Sequence, residues 1–309
     1  MRAADEQMIV HRGSSRRNVL GWLAGAIASG MASLSAGSML RFRKVPAGLP
    51  GKTALPDVPG SDIVRMQAEL QAALRRPLTT RRWVMVIDPR RCTGCNTCVV
   101  SCRAENVTGP EGSYRRVAEA STGSFPNLTR VFMPSNCVHC DDPPCQRAVP
   151  AGMILKRPDG IVEFDYTKLV GDHARKAAEA CPYRAVHLDE GRLFTAGTPS
   201  EQPYEKRTFT EYQREWNRTD GSLPRGAARK CHFCLHRVEA GMLPACVASC
   251  MCSAMAFGDL SDPAGLVSEL LAANRTIRIH EELGIEPRVH YIEEKLDQEV
   301  RQYSCSTCH

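Results

Sequence analysis

Cys92-Thr93-Gly94-Cys95-Asn96-Thr97-Cys98-Val99-Val100-Ser101-Cys102 sets four thiols at intervals of three, three and four residues. This is the spacing of the bacterial run C-x2-C-x2-C-x3-C that holds iron–sulfur clusters. Three thiolates on a tight, glycine-containing loop can wrap three corners of an iron–sulfur cubane. The fourth begins the next turn of chain and points away, so in two-cluster proteins it ligates the other cluster. Taken alone, the run could also be a zinc knuckle or buried structural cysteines, since C-x2-C pairs hold zinc as well.

Further runs follow. The second is Cys137-Val138-His139-Cys140-Asp141-Asp142-Pro143-Pro144-Cys145; four residues on, where a ligand is expected, stands Val149, followed by Pro150. Of a third run only Cys181-Pro182-Tyr183 remains, and counting back by the same spacing gives Gly171, Ala174 and Ala177. The fourth is Cys231-His232-Phe233-Cys234, completed by Cys246-Val247-Ala248-Ser249-Cys250. Applying cross-ligation to the outer pair of runs predicts one cluster on Cys92, Cys95, Cys98 and Cys250, and a second on Cys231, Cys234, Cys246 and Cys102. The inner pair predicts a third cluster on Cys137, Cys140, Cys145 and Cys181. A fourth would need Gly171, Ala174, Ala177 and Val149, so all of its ligands are absent and none of the others is. Random decay would not sort in this way, and the expectation is three [4Fe–4S] clusters and one emptied site. The alternative is a different pairing that leaves damaged or three-iron clusters. Cys252 is left over and reads as a small buried hydrophobe.

The tail carries a second chemical signal. Cys305-Ser306-Thr307-Cys308-His309 is the C-x-x-C-H pattern of c-type haem attachment, with two thioether bonds to the porphyrin and His309 on the iron. A redox-active or idle thiol pair and metal trapping are the alternatives. His280, His290 or a partner's side chain could supply a sixth ligand. His139, His187, His232 and His236 lie in or near the cysteine loops and are expected to hydrogen-bond locally.

These residues must be positioned by the rest of a 309-residue chain with 15 cysteines, 24% charged and 6% aromatic residues and a net charge of +6. Charges of both signs are interspersed, so the surplus does not mark a nucleic-acid surface. So many cysteines must be disulfides, metal ligands or both. Ser15-Arg16-Arg17-Asn18-Val19-Leu20 reads as a twin-arginine export motif, and a charge-free stretch rich in Gly, Ala and Ser runs from Val19 to Leu40. That stretch is long enough to cross a bilayer if uncleaved, and Ser33-Leu34-Ser35-Ala36 is a weak cleavage signal. The twin-arginine route carries folded proteins, so clusters can be assembled in a reducing cytoplasm before reaching an oxidising compartment. The expectation is a periplasmic protein, held at the membrane through partners or an uncleaved N-terminal anchor.

Residues 41–60 form a Pro/Gly linker. Ser61 and Asp62 then cap a helix with Ile63, Met66, Leu70 and Leu74 at helical spacing, and Trp83–Asp88 reads as a buried strand. Residues 103–130 read as a loop-rich insertion. A hairpin is expected at Met153–Leu155 and Ile161–Phe164 around Pro158-Asp159-Gly160, and an Ala-rich helix at Asp172–Ala180. Arg192–Gly226, with Tyr204, Phe209, Tyr212 and Trp216, reads as a partner-facing or capping loop. Ser261 is expected to cap a helix to Ala273, ahead of a strand at Thr276–Ile279.

Cys137–Cys145, Asp159-Gly160-Ile161-Val162, Cys181-Pro182-Tyr183, Lys230-Cys231-His232-Phe233-Cys234 and Phe257-Gly258-Asp259-Leu260-Ser261-Asp262-Pro263 resemble the ferredoxin-like electron-transfer subunits of the dimethyl sulfoxide reductase superfamily, over residues 83 to 293. Members of that family are typically four-cluster wires beside a molybdenum catalytic subunit, or companions of a quinone-handling membrane protein of the polysulfide-reductase type. The twin-arginine signal and three-cluster pattern look most like the periplasmic ferredoxin subunit of Dsr-type sulfur-metabolism membrane complexes. The chain departs from the family in its emptied third run, in Arg103 and Met251 where Pro often follows the last cysteine, and in its C-terminal extension.

The resemblance implies an α+β fold of tandem bacterial-ferredoxin-like halves related by a pseudo-twofold, with loop-rich insertions. The expected layout is a signal or anchor (1–40), a linker and short helix (41–80), an outer half (81–130 with 225–293), an inner half with the emptied site (131–195), an insertion (196–224) and the C-x-x-C-H tail (294–309). The implied function is relay of electrons between a quinone-linked membrane subunit and a catalytic molybdoenzyme or c-type cytochrome partner. The alternatives are the electron-transfer subunit of a molybdopterin oxidoreductase or hydrogenase, an autonomous reductase, and a structural zinc protein. Outside the cysteines no acid, base or nucleophile constellation stands out.

Overall fold

The computed structural model describes residues 61–197 and 200–293. The twin-arginine segment, the 41–60 linker and the tail with Cys305, Cys308 and His309 lie outside the described residues. The strand expected at Trp83 is β1 (Trp83–Ile87), and every residue in it is buried. A strand covered on both faces must be apolar along its whole length, as Trp-Val-Met-Val-Ile is. In chain order the other strands are β2 (Arg116–Thr122), β3 (Thr129–Ser135), β4 (Ile154–Lys156), β5 (Val162–Phe164), β6 (His187–Asp189), β7 (Phe209–Glu211), β8 (Arg214–Trp216), β9 (Ala227–Arg229), β10 (Met255–Asp259), β11 (Thr276–Ile277) and β12 (Val289–Ile292). The helices are α1 (Asp62–Leu74), α2 (Thr97–Asn106), α3 (Pro144–Arg147), α4 (Gly171–Glu179), α5 (Leu235–Glu239), α6 (Ala245–Ala248) and α7 (Leu266–Ala273).

β1 is central in a four-stranded sheet of order β10-β1-β12-β11. It runs antiparallel to β10, from Trp83↔Asp259 to Ile87↔Met255, and parallel to β12, from Met85↔Val289 to Ile87↔Tyr291. α1 and α7 pack on this sheet, and α1 buries Met66, Leu70 and Ala73. Trp83 stacks on Phe257 with ring centroids 5.4 Å apart, tying β1 to β10. The other strands form two-stranded ribbons: β2–β3, β4–β5, β6–β9 and β7–β8. One apolar core surrounds the four-stranded sheet. A second gathers Ile154, Val162, Phe164, Tyr166, Leu169, Ala174, Ala177, Phe209 and Trp216. The architecture is mixed helix and sheet. Among the described residues no helix is long and apolar enough to cross a membrane.

Several expectations change. Residues 103–130 hold ordered elements among their loops: α2 continues to Asn106, and β2 pairs with β3 from Arg116↔Ser135 to Thr122↔Thr129. The sequence Arg-Val-Ala-Glu-Ala-Ser-Thr carries little strand signal of its own, and pairing with Val131 and Met133 opposite supplies what propensity does not. The 192–226 segment holds the β7–β8 hairpin, which buries Phe209 and Trp216 in the second core and Glu211 beside it. Ser261 does not cap α7. The Asp259 carboxylate accepts from Ser261 N at 2.9 Å and that of Asp262 from Ala264 N at 3.0 Å, so turns occupy this stretch and the helix begins after Gly265. β11 stops at Ile277, two residues short of the expected Ile279.

Candidate metal centres

Local structure directs each thiol. Gly94 has φ +70°, and a Cβ there would lie 2.5 Å from the Phe132 ring, so the tight Cys92–Cys95 loop requires glycine. Asn96 follows in the left-handed region at φ 57° and turns the chain into α2. Within α2, Cys98 and Cys102 are four residues apart and share a helix face one turn from each other. Cys246 and Cys250 repeat the spacing along and just beyond α6, which packs against α2. Two packed helices thus present thiols four residues apart, both within α2 and the second just past the end of α6.

The thirteen cysteines of the described residues are all free thiols. Cys92, Cys95, Cys98 and Cys250 line one cavity with Val117, Pro134 and Met255. Cys137, Cys140, Cys145 and Cys181 line another with Val138, Val162, Tyr183 and Val186. Cys102, Cys231, Cys234 and Cys246 are all buried, and the charges of the last three push the Cys102 thiol up after burial itself. The three sets adjoin in a row. Cys98 of the first lies within electrostatic reach of Cys246 of the second, and Cys231 of the second within reach of Cys137 of the third. Cys252, expected as a buried hydrophobe, is instead half-buried on the cavity of the first set, with Sγ 3.6 Å from Thr93 Oγ1.

Burial pushes the thiols of Cys98, Cys231 and Cys145 up to about 11, 12 and 12. Thiolate at these positions therefore requires a cationic group to displace the proton, the linkage that couples metal binding to deprotonation. Among the described residues no three Cys, His, Asp or Glu side chains are placed to hold a single metal ion. A cubane makes a different demand, four soft thiolates spread around a body of iron and sulfide. The donor sets fit it: each is all thiol, and N–H groups point at the sulfurs. Backbone N–H groups of Ala254, Phe233 and Ala185 donate to Cys250, Cys231 and Cys181 at 3.2, 3.4 and 3.5 Å.

Side chains donate as well. Leu235 N donates to His232 Nδ1 at 2.8 Å, which leaves the proton of the neutral ring on Nε2. Nε2 then faces Asn106 Oδ1 at 3.1 Å, and burial holds the His232 imidazole below its ordinary value. That contact orients the amide of Asn106, whose Nδ2 donates to Cys102 Sγ at 3.4 Å and approaches Cys234 Sγ at 3.8 Å. Asn136 Nδ2 approaches Cys231 Sγ at 3.8 Å, and Arg115 Nη2 donates to Cys246 Sγ at 3.3 Å. Lys156 Nζ donates to the carbonyls of His139 and Cys140 at 3.0 and 2.7 Å and fixes the second cysteine loop. His139 Nδ1 accepts from Val162 N at 3.0 Å, and His236 Nε2 lies 2.8 Å from Glu105. Asn106, Arg115 and Asn136 were not legible as site residues. Arg115 falls in the stretch read as loop, and an asparagine between runs carries no signal until the fold shows what it faces. His280 lies 3.2 Å from Glu282, and His290 is half-buried on β12.

A family profile described as a 4Fe–4S dicluster domain matches residues 128–196 and 211–260. Over 287 residues the chain is 41% identical to the selenate reductase B-subunit of Mesobacillus selenatarsenatis, covering 91% of this chain and 98% of the relative. It is 32% identical to the arsenate respiratory reductase iron–sulfur subunit of Shewanella sp., over 67% of this chain and 94% of that protein. The tetrathionate reductase B-subunit of Salmonella typhimurium is 35% identical over 68% of this chain and 72% of its own length. With that identity and coverage added to its cysteine-lined cavities, the chain belongs to the 4Fe–4S electron-transfer subunits of the dimethyl sulfoxide reductase (molybdopterin oxidoreductase) family.

Proposed function

We propose that this subunit holds three [4Fe–4S] clusters, on Cys92, Cys95, Cys98 and Cys250, on Cys102, Cys231, Cys234 and Cys246, and on Cys137, Cys140, Cys145 and Cys181, and relays electrons along that row. The observation that carries the reading is the grouping of twelve free thiols into three adjoining sets of four. When bound, such clusters supply one-electron redox at potentials set by burial and hydrogen bonds to sulfur. The chain's own residues bury the middle set, aim N–H groups at the thiolates, and fix the loops through Lys156 and Lys230, whose Nζ donates to the carbonyls of Val162 and Cys231 at 2.6 and 2.9 Å. The repeat further supports two ferredoxin-like halves, the inner one lacking its second cluster.

At one end of the row we place a quinone-linked membrane protein of the polysulfide-reductase type. At the other we place a catalytic partner, for which the relatives' names as reductase subunits weigh towards a molybdoenzyme over a c-type cytochrome. Protein purified without oxygen is expected to contain about twelve iron and about twelve acid-labile sulfide per chain. About sixteen iron, or a stoichiometric three-iron signal, would overturn the pairing. The reading includes export through Arg16 and Arg17 to the periplasm; Arg16→Lys with Arg17→Lys should leave assembled protein in the cytoplasm, and normal export of that variant would remove this part. It also includes a c-type haem on Cys305 and Cys308 with His309 as iron ligand. A haem-stained band on a denaturing gel should vanish in the Cys305→Ser, Cys308→Ser variant, and a wild-type chain with no stain would leave a thiol pair.

A further inference from the structure

Arg115 lies between α2 and β2, with its side chain buried where the first and second thiol sets adjoin; only 1% of the residue is exposed. Nη2 donates to Cys246 Sγ at 3.3 Å and lies 3.1 Å from Met85 Sδ. Nε and Nη1 are buried and have no hydrogen-bond partner. The groups that face the guanidinium are the sulfurs of Cys246, Cys98 and Cys231, which become anionic when they hold a cluster. A buried cation with two unpaired N–H groups costs several kcal/mol. It persists where the working state of the protein supplies the missing acceptors. Sulfur-rich anionic groups held by the two sets would do so.

We propose that Arg115 is a positioning residue of the electron relay: its single fixed charge and its N–H groups serve the clusters of both the first and the second set, and raise the reduction potentials of the two together. The proposal rests on the ligand sets proposed above. Each one-electron reduction adds one negative charge to the reduced group with no bond made or broken, and a nearby cation favours that added charge. The third set lies apart from this effect. The leading cationic influence on Cys145 is Lys230, and Arg115 is not among the leading influences on Cys140 or Cys145.

The test is an anaerobic redox titration of the full chain, followed by electron paramagnetic resonance, on wild type, Arg115→Gln and Arg115→Lys, with iron content measured on each. In Arg115→Gln, reduction of two of the three clusters should become at least about tenfold less favourable, a fall of about 59 mV for a one-electron couple, while the third stays near its wild-type value. Arg115→Lys keeps the charge and should recover most of the shift. Unchanged potentials in an iron-replete Arg115→Gln protein would overturn the proposal, as would an equal shift of all three. If Arg115→Gln loses iron, the lysine variant decides. Full iron and near-wild-type potentials there support a role for the charge; loss of iron from both makes Arg115 a packing residue and ends the proposal. Wild-type iron content, read first, separates these outcomes from failure of the ligand sets themselves.

Discussion

Beyond Cys98 in α2 and Cys246 in α6, the residue one turn on is another cysteine, and the thiols of the four serve two adjoining sets. Beyond Cys145 in α3 the corresponding residue is Val149, and α4 has Gly171, Ala174 and Ala177 where the repeat would place thiols. The first region is a pair of thiol sets with N–H donors aimed at sulfur. The second is filled with protein. Ala174 and Ala177 are fully buried in the second core, and Val149 packs against it. A helix rises 1.5 Å per residue, so thiols at these three positions would be strung over about 9 Å instead of wrapping one body. Without cysteine at these positions, the chain forms an ordinary amphipathic helix.

The space beside that core is also charged. Asp189 accepts from Arg218 Nη1 and Arg229 Nη1, both at 2.7 Å, and Arg229 Nη2 meets Glu211 at 2.5 Å. The hydroxyls of Tyr114 and Tyr166 also donate to Glu211. Burial pushes both carboxyls up, but Arg229 outweighs it, with Arg218 adding at Asp189 and the Tyr166 hydroxyl at Glu211, and holds both well below the usual carboxylate range. Arg229 Nη2 also donates to Asn106 O at 2.8 Å, so the network braces the residue whose amide meets Cys102. The comparison shows two ways of stabilising buried charge. Thiolate sets require a bound cationic group, whereas the filled region closes its charges with its own side chains.

The largest break in this contrast should come from Cys181→Ala. Cys181 belongs to the degenerate run but shares the cavity of Cys137, Cys140 and Cys145, so the variant should lose about four of about twelve iron. Ala174→Cys should gain none, because its helix cannot present a cluster loop; iron analysis of the two variants side by side decides. Next comes Arg229→Met, which leaves Glu211 buried without its guanidinium and Asp189 with Arg218 alone. Such a loss costs about 3–5 kcal/mol, to be read from denaturant melts of cluster-loaded protein.

His187 gives a pH-dependent term of similar size. Burial, with Arg229 second, holds its imidazole down from 6.5 to about 4. The folded state refuses a proton that the unfolded chain accepts. This contribution is therefore complete above about pH 6.5 and is lost as pH falls toward 4, on the order of 3 kcal/mol in all. His187→Gln should flatten the slope of melting temperature between pH 7 and 5; an unchanged slope would reject the assignment. The smallest effect should be that of Ala174→Leu, where overpacking the second core costs about 1–3 kcal/mol without changing iron content.

Short-range order was legible in the residues. Ile63, Met66, Leu70 and Leu74 mark α1, and the Pro158-Asp159-Gly160 turn marks β4–β5. The apolar run marks β1, and the missing thiols with Asp172–Ala180 mark α4 within a residue. Cysteine spacing encodes a loop or one helical turn, and both are local geometry. What the tertiary structure alone decided is where polar residues face. Arg116–Thr122 became a strand because β3 lies beside it, and the β7–β8 hairpin became buried because α2 and α5 pack against β7. Arg115, Asn106 and Asn136 became donors to sulfur because thiols distant in sequence were brought to their N–H groups. A cysteine's chemistry travels with its side chain and can be read in place. A donor's role depends on the acceptor opposite, and only the folded chain fixes that pairing.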